Sequence, residues 1–239
     1  GFGNSALSSS GHVYSHTFTT VGVNTYKCTP HSSQMYGTIT VTPSAPTGDP
    51  IQSICRGESV QSVGSDIDIN TETGASISWY NSISSSSPLS ASTLLEVGDN
   101  TYYISQTVNG IESTNRFEIR TLIPDLYLTY DNDICPGTST DITFNNDVGE
   151  VPGAITSIQW QTGESNAAIT VTPISFLPNI PVSYIMSYNY DSGLAGVDVL
   201  QCVLTAAIFS RDTTGPTFTT SPANVTVQCS ASSAPSATG

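Results

Sequence analysis

The 239-residue chain carries 19 acidic against 5 basic residues, a formal net charge of −14, and only 10% of its residues are charged. That field repels nucleic acid and anionic lipid, because binding either depends on Lys and Arg meeting phosphate, so nucleic-acid binding is excluded. No run of about 18 apolar residues occurs, so the sequence holds no membrane-spanning helix.

The hydrophobic fraction is 37%, and much of the remainder is Ser, Thr and Asn rather than charge. Val, Ile and Tyr in alternation, punctuated by Gly, Pro and Asn, predict an all-β chain rather than a disordered one. The chain begins Gly1-Phe2-Gly3, without an initiator Met, a basic segment or a signal peptide. We therefore expect a mature, trimmed or internal piece of a secreted protein. Five Cys is an odd number. It implies a free thiol, a metal ligand or a partner outside the chain.

The first chemical signal is Cys28-Thr29-Pro30-His31, followed by Met35 and the strand Gly37-Thr38-Ile39-Thr40-Val41. A thiolate, an imidazole and a thioether this close together are a soft donor set suited to copper. Cys with two His and a distant axial Met is the blue-copper arrangement. One of the two His positions is missing here. His12 and His16 stand on the strand leading into the loop and are poor substitutes.

Beyond a Pro/Ser/Thr/Gly link over 42–48, strands are predicted where Ala75, Ile77 and Trp79 alternate with Ser, and where Phe117, Ile119 and Thr121 alternate with charged residues. Between them Thr101–Val108, Asn109-Gly110 and Ile111 onward read as a hairpin, since Asn-Gly suits a type I′ turn. Further links fall near Ile123-Pro124 and at Asp212-Thr213-Thr214-Gly215-Pro216, and Val225, Val227 and Cys229 alternate in a last strand. The segments between links are about 75 to 90 residues long, a usual size for a small β-sandwich.

An internal repeat supports that division. Ile54-Cys55-Arg56-Gly57 recurs eighty positions later as Ile134-Cys135-Pro136-Gly137. Trp79 follows the first Cys by 24 residues, and Trp160 follows the second by 25. A Cys on one strand with a Trp packed over it from the next is the core signature of immunoglobulin-like sandwiches. Cys55 is expected to be a buried thiol beside Trp79, acting as a small apolar group.

Several residues carry two readings. Asp131, Asp133, Asp191 and Asp198 are either calcium ligands stiffening a tandem array or a solvated acidic surface, and no EF-hand spacing is present. Tyr102, Tyr103, Tyr184, Tyr188 and Tyr190 are either a glycan-stacking face or sandwich core and edge. Asn224-Val225-Thr226 fits an N-glycosylation sequon inside a predicted strand. The chain has no nucleophile elbow, zinc helix, phosphate loop or triad, and its three His cluster near the N-terminus, so enzymatic activity is not expected.

The run Ser15–Gly22, Tyr26–His31 and Met35–Val41 resembles the C-terminal half of a plastocyanin-like cupredoxin over residues 1–43. The resemblance implies Cys28, His31 and Met35 as copper ligands, with copper the cofactor of the complete domain and the other His ahead of Gly1. Residues 47–123 resemble the short immunoglobulin-like modules of large surface proteins in gliding Bacteroidetes, through Ile54-Cys55-x-Gly57, Ile77-Ser78-Trp79-Tyr80-Asn81 and the Thr101–Ser113 hairpin. That family often carries Cys where this chain has Ile111, which removes the expected partner of Cys55. Residues 124–211 look like a divergent copy, in which the resemblance pairs Cys135 with Cys202. Residues 212–239 resemble the opening of a hyalin-repeat (HYR) module, leaving the partner of Cys229 beyond Gly239. Asp212-Thr213-Thr214 resembles a Bacteroidetes O-glycosylation signal, which would modify Thr213.

The expectation is therefore an all-β chain of tandem β-sandwiches: a partial cupredoxin, two immunoglobulin-like modules and a partial HYR-like module. The implied role is that of an extracellular stalk or adhesin segment at a bacterial surface, with a glycan or protein ligand and, by resemblance, the type 9 secretion and gliding machinery as partners. Two alternatives stand beside it: a copper-binding electron carrier with immunoglobulin-like spacers, and a carbohydrate-binding array on a secreted enzyme.

Overall fold

The computed structural model describes residues 13–28, 34–65, 67–174 and 180–211. Among the described residues, alternating β-branched and aromatic residues give sixteen strands, and the one helical element is a 3-10 turn at Val63–Ser65. The chain is all-β, and its sheets form successive sandwiches.

At the N-terminal side β1 (Gly22–Lys27) and β2 (Tyr36–Val41) make an antiparallel ribbon, with Gly22 opposite Val41 and Lys27 opposite Tyr36. Tyr26 folds across Gly37, where an added Cβ would stand 2.5 Å from the phenol oxygen. The missing side chain is what lets the ring lie on the neighbouring strand. The 42–48 segment, expected as a link, is docked rather than free. Pro43 and Pro46 are buried, the Ser44 carbonyl accepts from Gln106 Nε2 at 3.0 Å, and the Ser44 amide donates to Glu72 Oε1 at 3.3 Å.

The first module holds β3 (Thr47–Gly48), β4 (Ile51–Ser53), β5 (Ile69–Asn70), β6 (Ser76–Tyr80), β7 (Gly98–Val108), β8 (Ile111–Glu112) and β9 (Phe117–Ile123). Its main sheet runs β4-β9-β7-β6, with β8 also on β7, and β3-β5 forms a small second sheet. Gln52 ties the two layers: its side-chain amide donates to the Asp49 and Asp68 carbonyls and accepts from the Asp68 amide. Trp79, Tyr102, Ile104, Ile119 and Ile123 from the main sheet bury against Ile54, Val63, Ile67 and Leu95. Asn109 at φ 52° and Gly110 at φ 77° close the expected hairpin, both in the left-handed region that a type I′ turn requires. One departure concerns β6. Trp79 and its neighbour Tyr80 are both buried, so the strand is covered on both faces there instead of alternating.

The second module is a sandwich of two sheets around one core. β10 (Tyr127–Thr129), β12 (Thr140–Asn145) and β14 (Ala168–Val171) form the first sheet, in the order β10-β12-β14. β11 (Asp133–Ile134), β13 (Ala154–Trp160), β15 (Val182–Asp191) and β16 (Leu200–Ser210) form the second, in the order β11-β16-β15-β13. Ile142, Phe144, Ile169 and Val171 from one sheet meet Trp160, Met186, Tyr188, Tyr190, Ala206 and Ile208 from the other. Along β12 the alternation is clean, with Thr140, Ile142 and Phe144 inward and Asp141 and Thr143 outward, as period-2 side-chain geometry dictates. β9 ends at Ile123, and Leu126 is already fully buried in the second core.

The disulfide differs from expectation. Cys202 is bonded to Cys55 of the preceding module, not to Cys135. The reason is register: β11 pairs parallel with the far end of β16, Ile134 opposite Ser210, so Cys135 lies about 30 Å along the strand from Cys202. A bridge needs Cα atoms within about 7 Å. Cys55 and Cys202 stand 5.8 Å apart, and Cys135 is an exposed free thiol. Cys55 is therefore not the apolar thiol expected beside Trp79. The Val225–Cys229 strand and the HYR-like start fall outside the described residues.

Candidate functional site

Hairpin geometry brings two of the sequence-predicted copper ligands together. The Cys28 amide donates to the Met35 carbonyl at 2.8 Å, so thiol and thioether residues face each other across the mouth of the loop that closes the ribbon. His31, on that loop, lies outside the described residues, as does His12. His16 is described and exposed, with its ring 4.8 Å from Phe18, edge-on, and 6.5 Å from Tyr14. Cys28 is half-buried, whereas Met35 is 55% exposed and Tyr36 74%. A thiolate beside a thioether fits a soft metal. The apolar shell that fixes trigonal geometry and excludes water is not supplied by the ribbon's described residues, which leave an open cleft of about 450 Å³ between Tyr26, Lys27 and Tyr36. Among the described residues no three His, Cys, Asp or Glu side chains are grouped to hold a metal ion.

Residues 3–42 match the plastocyanin/azurin family of copper binding proteins. This segment is therefore plastocyanin-like, and it includes the ribbon and the residues 13–21 that lead into it, which form no strand; the match does not extend to the two modules that follow. Comparison with curated proteins gives no match. Among solved structures, Drosophila N-cadherin EC1-3 aligns at 10% identity over 72% of this chain and 70% of its own, with a TM-score of 0.24. Fibronectin(III)-like modules of Clostridium thermocellum CbhA align at 14% identity over 70% of this chain and 94% of theirs, with a TM-score of 0.21. At those scores neither alignment carries an argument about this chain.

A second constellation, which sequence reasoning missed, sits where the two modules meet. Cys55 belongs to the turn after β4, and Cys202 is the third residue of β16, facing inward beside Tyr188. The next residue, Arg56, reaches Asp125 at 2.9 Å and lies 4.9 Å over the Tyr127 ring, both at the start of the second module. A cleft of about 240 Å³ flanks this junction, with Asp49, Gln52 and Asp68 on one side and Val197, Asp198 and Leu200 on the other. The available signal was scarcity. The chain has four Arg and one Lys. Arg56, Arg120 and Arg211 pair with Asp125, Asp99 and Asp133, and Arg116 binds three backbone carbonyls.

Arg116 stacks 3.4 Å over Tyr80 and donates to the carbonyls of Ser82, Ile83 and Ser85, pinning that loop. Beneath it Glu112 accepts from Ser105 Oγ at 2.5 Å and Tyr80 Oη at 2.6 Å. Those hydrogen bonds, Ser105 first, hold the Glu112 carboxyl below its usual range, and burial with the Glu112 contact pushes the Tyr80 phenol up. This arrangement is a structural staple in which the charged and polar groups are taken up by one another.

The remaining candidates are dispersed. Asp133 is bound by Arg211, Asp131 accepts from Thr140, and Asp191 caps the Gly193 amide, so three of the four candidate calcium carboxylates are occupied separately, while Asp198 lines the cleft at the module junction. Tyr102, Tyr188 and Tyr190 are buried core residues, which removes them from any glycan-stacking face. Thr213 and the Asn224 sequon lie outside the described residues.

Proposed function

We propose that this chain is a non-enzymatic, load-bearing segment of a long secreted protein at a bacterial surface, where it spaces an adhesive tip from the cell. The observation that carries this reading is the covalent junction between modules. A disulfide, an ion pair and a cation–π stack fasten the two sandwiches to each other, which a stalk needs and a flexible linker would lack. Disulfides persist outside the reducing cytoplasm, which favours an extracellular location. Scarce charge, Ser/Thr-rich exposed faces and the docked 42–48 segment also suit a tandem array in which each unit contacts mainly its neighbours. The finer reading, drawn from the resemblance, is a gliding-motility-type adhesin of Bacteroidetes exported by the type 9 route, with a HYR-like module following and a surface glycan or protein as ligand. Immunogold labelling of intact cells with antibody to residues 47–211 tests it. Label on the cell exterior that vanishes when the type 9 export machinery is deleted is the expected result; protein confined to the cytoplasm overturns it.

A second reading is favoured by the family match over residues 3–42. In it the first domain carries electrons on copper held by Cys28, His31 and Met35, and the modules act as spacers. Titration of the full-length protein with cupric ion distinguishes the two. An intense thiolate-to-copper charge-transfer band, lost in Cys28→Ser, favours the carrier; a colourless protein that retains no copper favours the stalk.

A further inference from the structure

The Cys55–Cys202 bridge spans a sequence separation of 147, so nearly all of both modules lies inside one covalent loop. Chain enters that loop through β4, whose last residue, Ser53, precedes Cys55 by two positions, and leaves it along β16, in which Cys202 is the third residue. We infer that the bridge is a shortcut for tension. Pull applied ahead of the first module runs through Thr47–Gly48 and Ile51–Ser53 to Cys55, crosses the two sulfurs, and leaves through the Cys202–Ser210 stretch of β16. The interiors of both modules, and the β7 hairpin and β12 at their centres, carry none of it.

The consequence follows from strand geometry. A β-strand already rises about 3.3 Å per residue, against a limit of about 3.3–3.6 Å for fully extended chain. The loaded part of β16 is therefore close to taut in the folded protein. Peeling it from β15, with which it shares seven register positions from Val182–Ile208 to Tyr188–Cys202, releases almost no length. The entry segment has little more to give, since Pro43, Pro46 and the two short strands are docked and extended. The enclosed chain is different: at that spacing a separation of 147 residues corresponds to about 500 Å of hidden contour.

That reserve is under chemical control. A dithiol reductant attacks one sulfur, the S–S bond breaks through a mixed disulfide, two cysteine thiols form, and the reductant leaves as its own disulfide. Cys202 is buried, and Cys55 is half-buried at the edge of the junction, so Cys55 offers the sulfur of approach. Once the bond is open, tension must pass through both cores, and the array becomes extensible. The biological use of this property rests on the stalk reading, but the property belongs to the chain and is measured without it.

The test is single-molecule pulling of the full chain by handles at its two ends, on the same preparation before and after a dithiol reductant. The residues outside the bridge contribute equally to both states and cancel. The expected result is that reduction adds about 500 Å of releasable length, in one step or in one step per module. Cys202→Ser should behave as the reduced protein does without reductant. Oxidised molecules that release the same length as reduced ones, or reduced molecules that gain none, overturn the inference; either result leaves the stalk reading to be decided by the labelling experiment. If Cys202→Ser does not fold, the comparison with and without reductant on the native sequence decides the matter alone.

Discussion

Trp79 and Trp160 hold equivalent places in successive modules, yet Trp160 Nε1 donates to the Asn166 carbonyl at 2.8 Å while Trp79 Nε1 meets no acceptor among the described residues. Both rings are buried, at 0% and 1% exposure. A buried donor without a partner carries its desolvation penalty uncompensated, so Phe at the two positions should have unequal effects. Trp160→Phe loses ring contacts and orphans the Asn166 carbonyl. Trp79→Phe loses similar contacts but sheds an unpaired N–H. We expect Trp160→Phe to be the more destabilising by about 1–2 kcal/mol, read from chemical denaturation with hydrogen exchange of amides in the module that carries each substitution.

The pairing of those two tryptophans was legible in the sequence because it rests on local spacing: a Cys-x-Gly turn, then Trp 24 or 25 residues on. The Asn109-Gly110 turn was legible for the same reason, as a dipeptide that tolerates positive φ. The disulfide was not. In the repeat, Cys55 and Cys135 are equivalent, and nothing in composition says which one lies near Cys202. Only the parallel register of β11 on β16 sends Cys135 to the wrong end of the strand. Arg56 failed to stand out for a related reason: its partners Asp125 and Tyr127 are about seventy residues away in another module. At the copper-type loop the order is reversed. Cys28 and Met35 were readable from local spacing, and the hairpin places them together, but the burial a metal centre needs is a property of surrounding strands.

Tyr188 gives an alkaline prediction. Burial pushes its phenol from 10.0 up to about 12, only partly opposed by the nearby Arg56 charge, and its hydroxyl meets no hydrogen-bond partner among the described residues. A raised folded-state pKa means that its contribution is fully present below pH 10 and is lost as pH climbs toward 12, where the unfolded chain gives up the proton first. The two-unit gap corresponds to about 2–3 kcal/mol of lost stability over that window. Tyr188→Phe should leave the second module as stable or slightly more stable near neutrality, since it removes an unpaired buried hydroxyl. It should also move alkaline unfolding, followed by near-UV circular dichroism, to higher pH. An unchanged alkaline midpoint would mean that Tyr188 is not the group that titrates.

Glu112 gives the acid counterpart in the first module. Its carboxyl is held below the usual 4.5 by Ser105 and then Tyr80, with burial opposing and Arg116 assisting. For a depressed carboxylate the stabilisation is present above the unfolded value and disappears as pH falls through the folded one. The melting temperature of the first module should therefore drop below about pH 4.5 more steeply in the native protein than in Glu112→Gln. The two curves should converge at the acid end. Parallel curves from pH 7 down to pH 3 would show that the Ser105–Glu112–Tyr80 contacts do not distinguish the charged from the neutral acid.

Gly153 and Gly149 separate two effects that are easily confused. Both have positive φ, 119° and 70° respectively, a region that side-chain-bearing residues enter at a cost of about 1–2 kcal/mol. At Gly149 an added Cβ meets nothing within 4 Å, so Gly149→Ala should show that backbone penalty alone. At Gly153, just before β13, the same Cβ would run into the Asp191 carbonyl and the Ser192 Cα, which are backbone atoms that cannot rotate aside. The strand ends there are already tied, since Tyr190 Oη donates to the Pro152 carbonyl and Ala154 pairs with Asp191. Relief would require the start of β13 to move off β15. Gly153→Ala should therefore destabilise the second module by about 3 kcal/mol or more, clearly beyond Gly149→Ala. Hydrogen exchange should localise the loss to amides of the Ala154–Asp191 end of the sheet; equal effects for the two alanines would mean that conformation, and not the close approach of β15, fixes glycine at this corner.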